Sequence, residues 1–132
     1  MTSDHSLPRS ERIRRRSVFR RVQNAGIRVH TSHFVILMHA AADDAEPLHE
    51  RRIGITVTKK IGNAPARNRV KRLVREAFRR YRTIFPPGLD IVFIAKRGAP
   101  TLTFEQVVGE LQQAKKSIAR AAKRARTTSE SS

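Results

Sequence analysis

The chain has 132 residues, with 28 Lys or Arg against 11 Asp or Glu and no cysteine. That length suits one domain with an ordinary core, and the lack of thiols excludes a disulfide framework and a thiolate-bound metal and fits a reducing cytoplasm. A formal charge of +17 makes a compact state self-repelling and points to a polyanionic partner bound with strong salt dependence. The longest apolar runs, around residues 34–38 and 91–95, are too short to span a bilayer, so no membrane partner is expected.

Residues 1–16 carry Arg9, Arg12, Arg14, Arg15 and Arg16 among polar neighbours and are expected to form a basic, partly mobile arm, with Ile13 able to pin it to the core. Ser17 can cap a short helix through Val18, Phe19 and Val22, stopped by Asn24-Ala25-Gly26. Residues 27–29 add a short extended piece. Residues 34–41 alternate as a strand, with Phe34, Ile36 and Met38 on one face and Val35, Leu37 and His39 on the other. Asp43, Asp44, Glu46 and Glu50 surround Pro47 in what reads as an exposed hairpin loop. Residues 52–58 then form a second main strand, with Ile53, Ile55 and Val57 inward and Gly54, Thr56 and Thr58 outward, expected to run antiparallel to the first.

From residue 59 to 82 the chain holds ten basic residues against one acid, Glu76. Val70, Leu73, Val74, Ala77, Phe78 and Tyr81 recur at helical spacing and form one apolar stripe. Asn68, Arg72, Arg75 and Arg79 stack on the opposite side, flanked by Lys71 and Arg82. Asn63 can act as N-cap and Pro65 sits in the first turn, which places the helix start near Ala64. Cations crowded there oppose the helix dipole and repel one another, a cost that a bound polyanion would offset. A solvated amphipathic face would mix Glu with Lys. This one is chiefly arginine, the side chain suited to phosphate.

Phe85-Pro86-Pro87-Gly88 enforces a break before a strongly apolar strand at residues 89–95. Thr103 and Gln106 form a capping box that opens a helix through Phe104, Val107, Val108, Leu111 and Ile118. From Ala119 the large apolar residues stop, so residues 119–132 are expected to be a disordered tail. Residues 17–118 then make one domain, and the order helix, strand, strand, helix, strand, helix argues for an α+β sandwich on a mixed sheet.

The chemistry on offer is binding. No carboxylates share a spacing that would hold a catalytic metal, and no phosphate-cradling glycine loop is present. His30, His33 and His39 could be ligands or an acid and base. Lacking cysteine or a nearby acidic partner, they read as surface or strand histidines, since zinc needs three or four converging ligands. Phe19 is either core or a stacking platform at the mouth of a groove.

The stretch RRIGITVTKKIGNAPARNRVKRLVREAF resembles the protein component of bacterial ribonuclease P. The likeness lies in Thr58-Lys59-Lys60 ending a strand, the Ile61-Gly62-Asn63 turn, and the Arg67-Asn68-Arg69 triplet followed by Lys71, Arg72 and Arg75. It continues through SVFRRV, HFVILM, GLDIVFIAKR and TFEQV, roughly residues 12–116. The resemblance implies a two-layer α+β sandwich of a four-stranded mixed sheet and three helices. It also implies a left-handed βαβ crossover at the arginine-rich helix, against the usual handedness.

It further implies the non-catalytic protein subunit of an endoribonuclease in the cytoplasm. Its catalytic RNA partner, with Mg2+ held mainly by RNA, hydrolyses the 5′ leader from precursor tRNA, with no protein partner required. On this likeness Lys59, Lys60, Arg67, Asn68, Arg69, Lys71, Arg72 and Arg75 would face the catalytic RNA. Phe19 and Arg12 would belong to a cleft for the leader. Gln23 and Leu37 stand where many members carry aromatics, which implies weaker or shifted stacking. The rivals are a ribosomal-type structural RNA-binding protein and a nuclease that works alone through histidines.

Overall fold

The structure is a computed structural model that describes residues 11–41 and 51–130, with side chains as far as Thr127. Its elements are α1 (Arg16–Ala25), β1 (Ile27–His30), β2 (Phe34–Ala40), β3 (Arg51–Thr56), α2 (Ala64–Arg80), β4 (Leu89–Ala95), α3 (Phe104–Gln113) and α4 (Lys115–Glu130). Short 3-10 turns occupy Arg82–Ile84 and Ala99–Thr101. This is the expected α+β sandwich on a four-stranded mixed sheet, with four helices where three were expected.

The sheet order is β1-β2-β4-β3. β2 is antiparallel to both β1 and β4, while β3 and β4 run parallel and are joined through α2. β3 does run opposite to β2, but β4 lies between them, so the two strands flanking residues 42–50 do not pair as the arms of a hairpin. The loop itself lies outside the described residues. The physical reason for the insertion is that β4 has nothing polar to show water: all its residues but Ile94 are buried, including Asp90. A strand apolar on both faces belongs in the middle of a sheet. Register places Ile91 between Met38 of β2 and Ile53 of β3.

One sheet face carries Phe34, Ile36, Met38, Ile53, Ile91 and Phe93 into a core closed by α2, α3 and α4. Phe78, Phe85, Phe93 and Phe34 form a chain of rings at centroid distances of 5.7, 5.8 and 5.9 Å. The opposite face presents Leu37 and Val92 to Val18 and Val22 of α1 and to Ile13. The alternation read in residues 34–41 therefore holds, and each face has its own core.

α2 starts where the sequence places it. Asn63 accepts a hydrogen bond from the Ala66 N–H at 3.0 Å, and Pro65 lies in the first turn. α3 opens on the full capping box of Thr103 and Gln106. α1 corrects the reading. Its N-cap is Arg15, without a side-chain cap, so Ser17 lies inside the helix. Gly26 ends it at φ −70°, not in the left-handed region; glycine is required because a Cβ would stand 2.4 Å from the Val22 carbonyl oxygen.

The last described part of the arm is docked. The Ile13 N–H donates to the Ile53 carbonyl at 2.9 Å, Arg12 bridges Ile53 in parallel fashion, and Glu11 pairs with Arg82 at 2.8 Å. The expected fraying at Ala119 does not occur either. α4 continues to Glu130, with Ile118, Ala121, Ala122 and Ala125 buried against β1 and β2. Its small apolar face lacks large side chains but keeps helical spacing, and alanine is the best helix former. Under the sheet edge, Arg52 grips the fully buried Asp90 with two bonds of 2.7 and 2.9 Å across the β3–β4 register.

Candidate nucleic-acid interface

α2 sorts its cations into three files according to what lies beside each flank. Asn68 and Arg72 point outward and are exposed, as are Lys59 and Lys60 in the preceding turn, with Arg67 half-exposed. On the α3 side Arg69, also exposed, lays its guanidinium against the chain. Its Nε donates to the Pro100 carbonyl at 3.1 Å and its Nη2 to the Leu102 carbonyl at 2.9 Å. Arg79 and Arg80 both reach Glu76 at 2.8 Å, and the Arg80 guanidinium also lies 5.1 Å from the Phe104 ring centre. Arg69 thus fastens α2 to the turn before α3, a task that nothing local in the sequence signals.

The third file faces a groove. Lys71 and Arg75 line it together with Arg12, Ile13, Arg14, Phe19 and residues 53–55 of β3, around a cavity of about 140 Å³. Two residues assigned from sequence to the catalytic-RNA face therefore share the cleft with the two assigned to the leader. Phe19 is neither core nor free. Its half-buried ring lies directly on the backbone of Gly54, where a Cβ would come within 2.3 Å of the ring's Cζ. An isolated glycine in an otherwise regular strand is the sequence signal of such an approach.

Among the described residues no acid lines the groove. The Arg12 Nε is buried without a hydrogen-bond partner among the described residues. Burial, and then the neighbouring Arg12 charge, pull the Arg75 pKa below its ordinary value, though a guanidinium in this range stays protonated. Cations held close together, partly desolvated and unanswered, attract an anion. An adjacent aromatic face accepts a base of any identity. Leu37 does not contribute: it is buried beneath α1 against the second core. Gln23 on α1 is half-buried, so stacking in this groove rests on Phe19.

The histidines also receive a correction. His33 has an acidic partner, Glu110, contributed by α3. One Glu110 oxygen accepts from the Thr31 hydroxyl at 2.7 Å and from the His33 N–H at 2.9 Å, and the other meets the His33 Nδ1. Lys96 donates to the Thr31 carbonyl at 2.7 Å. Burial works to raise the Glu110 pKa, but the bonds from Thr31 and His33 prevail and hold it below the ordinary carboxyl value. The cluster ties the β1–β2 turn to α3. Among the described residues no group of three or more His, Asp or Glu could hold a metal ion, and no helix is long and apolar enough to cross a membrane.

Fold and site define a small basic α+β protein with a cationic helix and an acid-free groove floored by one aromatic ring. The family model of ribonuclease P matches residues 7–126. The ribonuclease P protein component of Syntrophus aciditrophicus is 42% identical over 106 residues, covering 80% of this chain and 85% of that one. Among solved structures, the ribonuclease P protein of Thermotoga maritima superposes with a TM-score of 0.68 at 33% identity, covering 82% of this chain and 97% of that one. A Staphylococcus aureus ribonuclease P protein, described as a mutant with defective mRNA degradation activity, gives 0.70 at 32% identity, covering 84% and 89%. The chain belongs to the ribonuclease P protein family, as the protein component of that tRNA-processing endoribonuclease.

Proposed function

We propose that the protein binds the catalytic RNA of ribonuclease P through the outward cations of α2 and its preceding turn, Lys59, Lys60, Arg67 and Arg72, with Asn68 among them. The groove of Arg12, Phe19, Lys71 and Arg75 then holds the single-stranded 5′ leader of precursor tRNA in the cytoplasm. The observation that carries this reading is the groove in which, among the described residues, no acid appears and an aromatic ring on a glycine backbone stands beside a buried, unpartnered arginine nitrogen. A base can lie on Phe19 while a neighbouring phosphate reaches Arg12, Lys71 and Arg75. Arg69, exposed beside the outward cations of α2, is held by the Pro100 and Leu102 carbonyls and adds its charge to the same face.

Among the described residues no three His, Asp or Glu converge on one point. In this reading hydrolysis belongs to the RNA and the Mg2+ that it holds. The protein's part is electrostatic and positional. Two RNAs that must meet repel each other, and a subunit with cations toward both replaces screening otherwise supplied by free magnesium. The test is single-turnover cleavage of precursor tRNA across a magnesium titration with RNA alone, protein alone and both. The protein should shift the curve to lower magnesium and cut nothing alone; superimposable curves with and without protein would sink the reading.

In the same assay Phe19→Ala should lose about 1–3 kcal/mol of preference for leader-bearing over mature tRNA. Because the ring is half-buried on a glycine, its removal should cost less stability than the roughly 3–5 kcal/mol of a core phenylalanine. A second reading, hydrolysis by the protein itself, draws on the mRNA degradation activity that is defective in the Staphylococcus aureus mutant and on His33 beside Glu110. An mRNA substrate incubated with RNA-free protein, wild type and His33→Ala, decides it.

A further inference from the structure

α4 is the second helix rich in cations; Arg126 donates to the Pro87 carbonyl at 3.4 Å, and among the described residues the cations of its outer face have no partner. Lys116, Arg120, Lys123 and Arg124 are all exposed. Their spacing puts them within an arc of about 100°, opposite the buried Ile118, Ala121, Ala122 and Ala125. The stripe is about 12 Å long at the helical rise. Residues 115–127 contain no acid, and among the described residues none of the four cations has an ion pair or a side-chain hydrogen bond. In α2, by contrast, Glu76 takes Arg79 and Arg80, and Arg69 bonds to carbonyls.

Repulsion at these spacings destabilises α4, and Lys115 and Lys116 stand at its dipole-disfavoured end. Glutamine or alternating charge would serve the fold better. The helix packs on β1 and β2, whereas the groove lies along β3 at the other edge of the sheet. The exposed side of α4 carries no aromatic residue, so unstacked bases would find no platform there. A rigid row of cations on one helix face suits evenly placed phosphates.

We propose that this stripe is a second RNA contact, taking the phosphate backbone of a double-stranded segment without reading sequence, so that the protein bridges two RNA elements from opposite edges of its sheet. The proposal extends the reading above, since it takes the partner to be RNA, but it rests on a separate surface. The experiment uses the full chain carrying K116Q/R120Q/K123Q/R124Q, a charge-preserving control K116R/R120K/K123R/R124K, and, for the other face, R67Q/R72Q. Affinities are measured against salt for the catalytic RNA, a blunt RNA duplex of about 16 base pairs, a single strand of equal length, and phosphatidylglycerol vesicles.

With four phosphates lost, the salt slope for the duplex should fall by about 3.6 in the glutamine variant, its circular dichroism unchanged, and the charge-preserving control should restore it. Losses in the α4 and α2 variants should add for the catalytic RNA. An unchanged duplex slope, no recovery in the control, a larger effect on the single strand, or an effect confined to vesicles would overturn the proposal. A lowered duplex slope in the α4 variant beside an unaltered catalytic-RNA affinity in R67Q/R72Q would instead retain the α4 contact and remove the α2 one.

Discussion

The groove and the Thr31–His33–Glu110 corner both gather polar side chains from distant parts of the chain onto a sheet edge. In the corner, both Glu110 oxygens are engaged, and Lys96 caps the Thr31 carbonyl. In the groove, among the described residues, Arg12, Lys71 and Arg75 face one another with no acid, and one buried arginine nitrogen has no partner. The first arrangement stabilises the folded chain by itself. The second leaves like charges facing one another, a cost that a bound anion would offset if the proposed leader binding holds.

The largest expected effect lies on the satisfied side. Asp90→Ala leaves Arg52, whose side chain is only 11% exposed, without the buried carboxylate it grips. Urea unfolding should show a loss of about 3–5 kcal/mol; a loss below about 1 kcal/mol would mean that water already screens the pair.

Glu110→Gln should cost about 1–3 kcal/mol at neutral pH, because charge-assisted bonds to Thr31 and His33 are weakened. The folded-state pKa of Glu110 lies below its unfolded value, so its contribution is full above the ordinary glutamate value of about 4.3 and fades as pH falls through the lower folded one. Wild type and variant should therefore converge in stability as pH falls through that lower folded value. A gap that persists or widens on acidification would contradict the assignment.

The smallest effect sharpens the groove. Gly54→Ala forces the Phe19 ring off the strand. Affinity for leader-bearing tRNA should fall about fivefold, with little loss of stability. In a Phe19→Ala background the same change should add nothing, since the ring it displaces is gone. Independent, additive losses would show that Gly54 acts other than through Phe19.

Much of the scaffold of the candidate site was legible in particular residues. Asn63 and Pro65 announce where α2 begins, the apolar stripe from Val70 to Phe78 orients it, and the surplus of arginine on its other sides marks a polyanion partner. Gly54 carried an unused signal, a glycine amid regular alternation. So did Ala121, Ala122 and Ala125, whose spacing continues the face of Ile118 although their side chains are too small to register as apolar periodicity. Arg69, His33 with Glu110, and Arg52 with Asp90 left no trace, because a charged side chain looks alike in sequence whether it meets solvent or a partner far along the chain.

By itself the sequence determined the elements and the sign of the molecule: caps, breaks and periodicities act within a few residues, and net charge is a sum that needs no coordinates. Only the tertiary structure decided that β4 stands between β2 and β3, that Lys71 and Arg75 turn to the groove while Arg69 turns to Pro100 and Leu102, and that α4 shields the β1–β2 edge. These outcomes depend on which surfaces bury one another. A helix wheel gives the angle of each cation, but only the neighbour packed at that angle determines whether it meets carbonyls, a carboxylate, another cation or solvent.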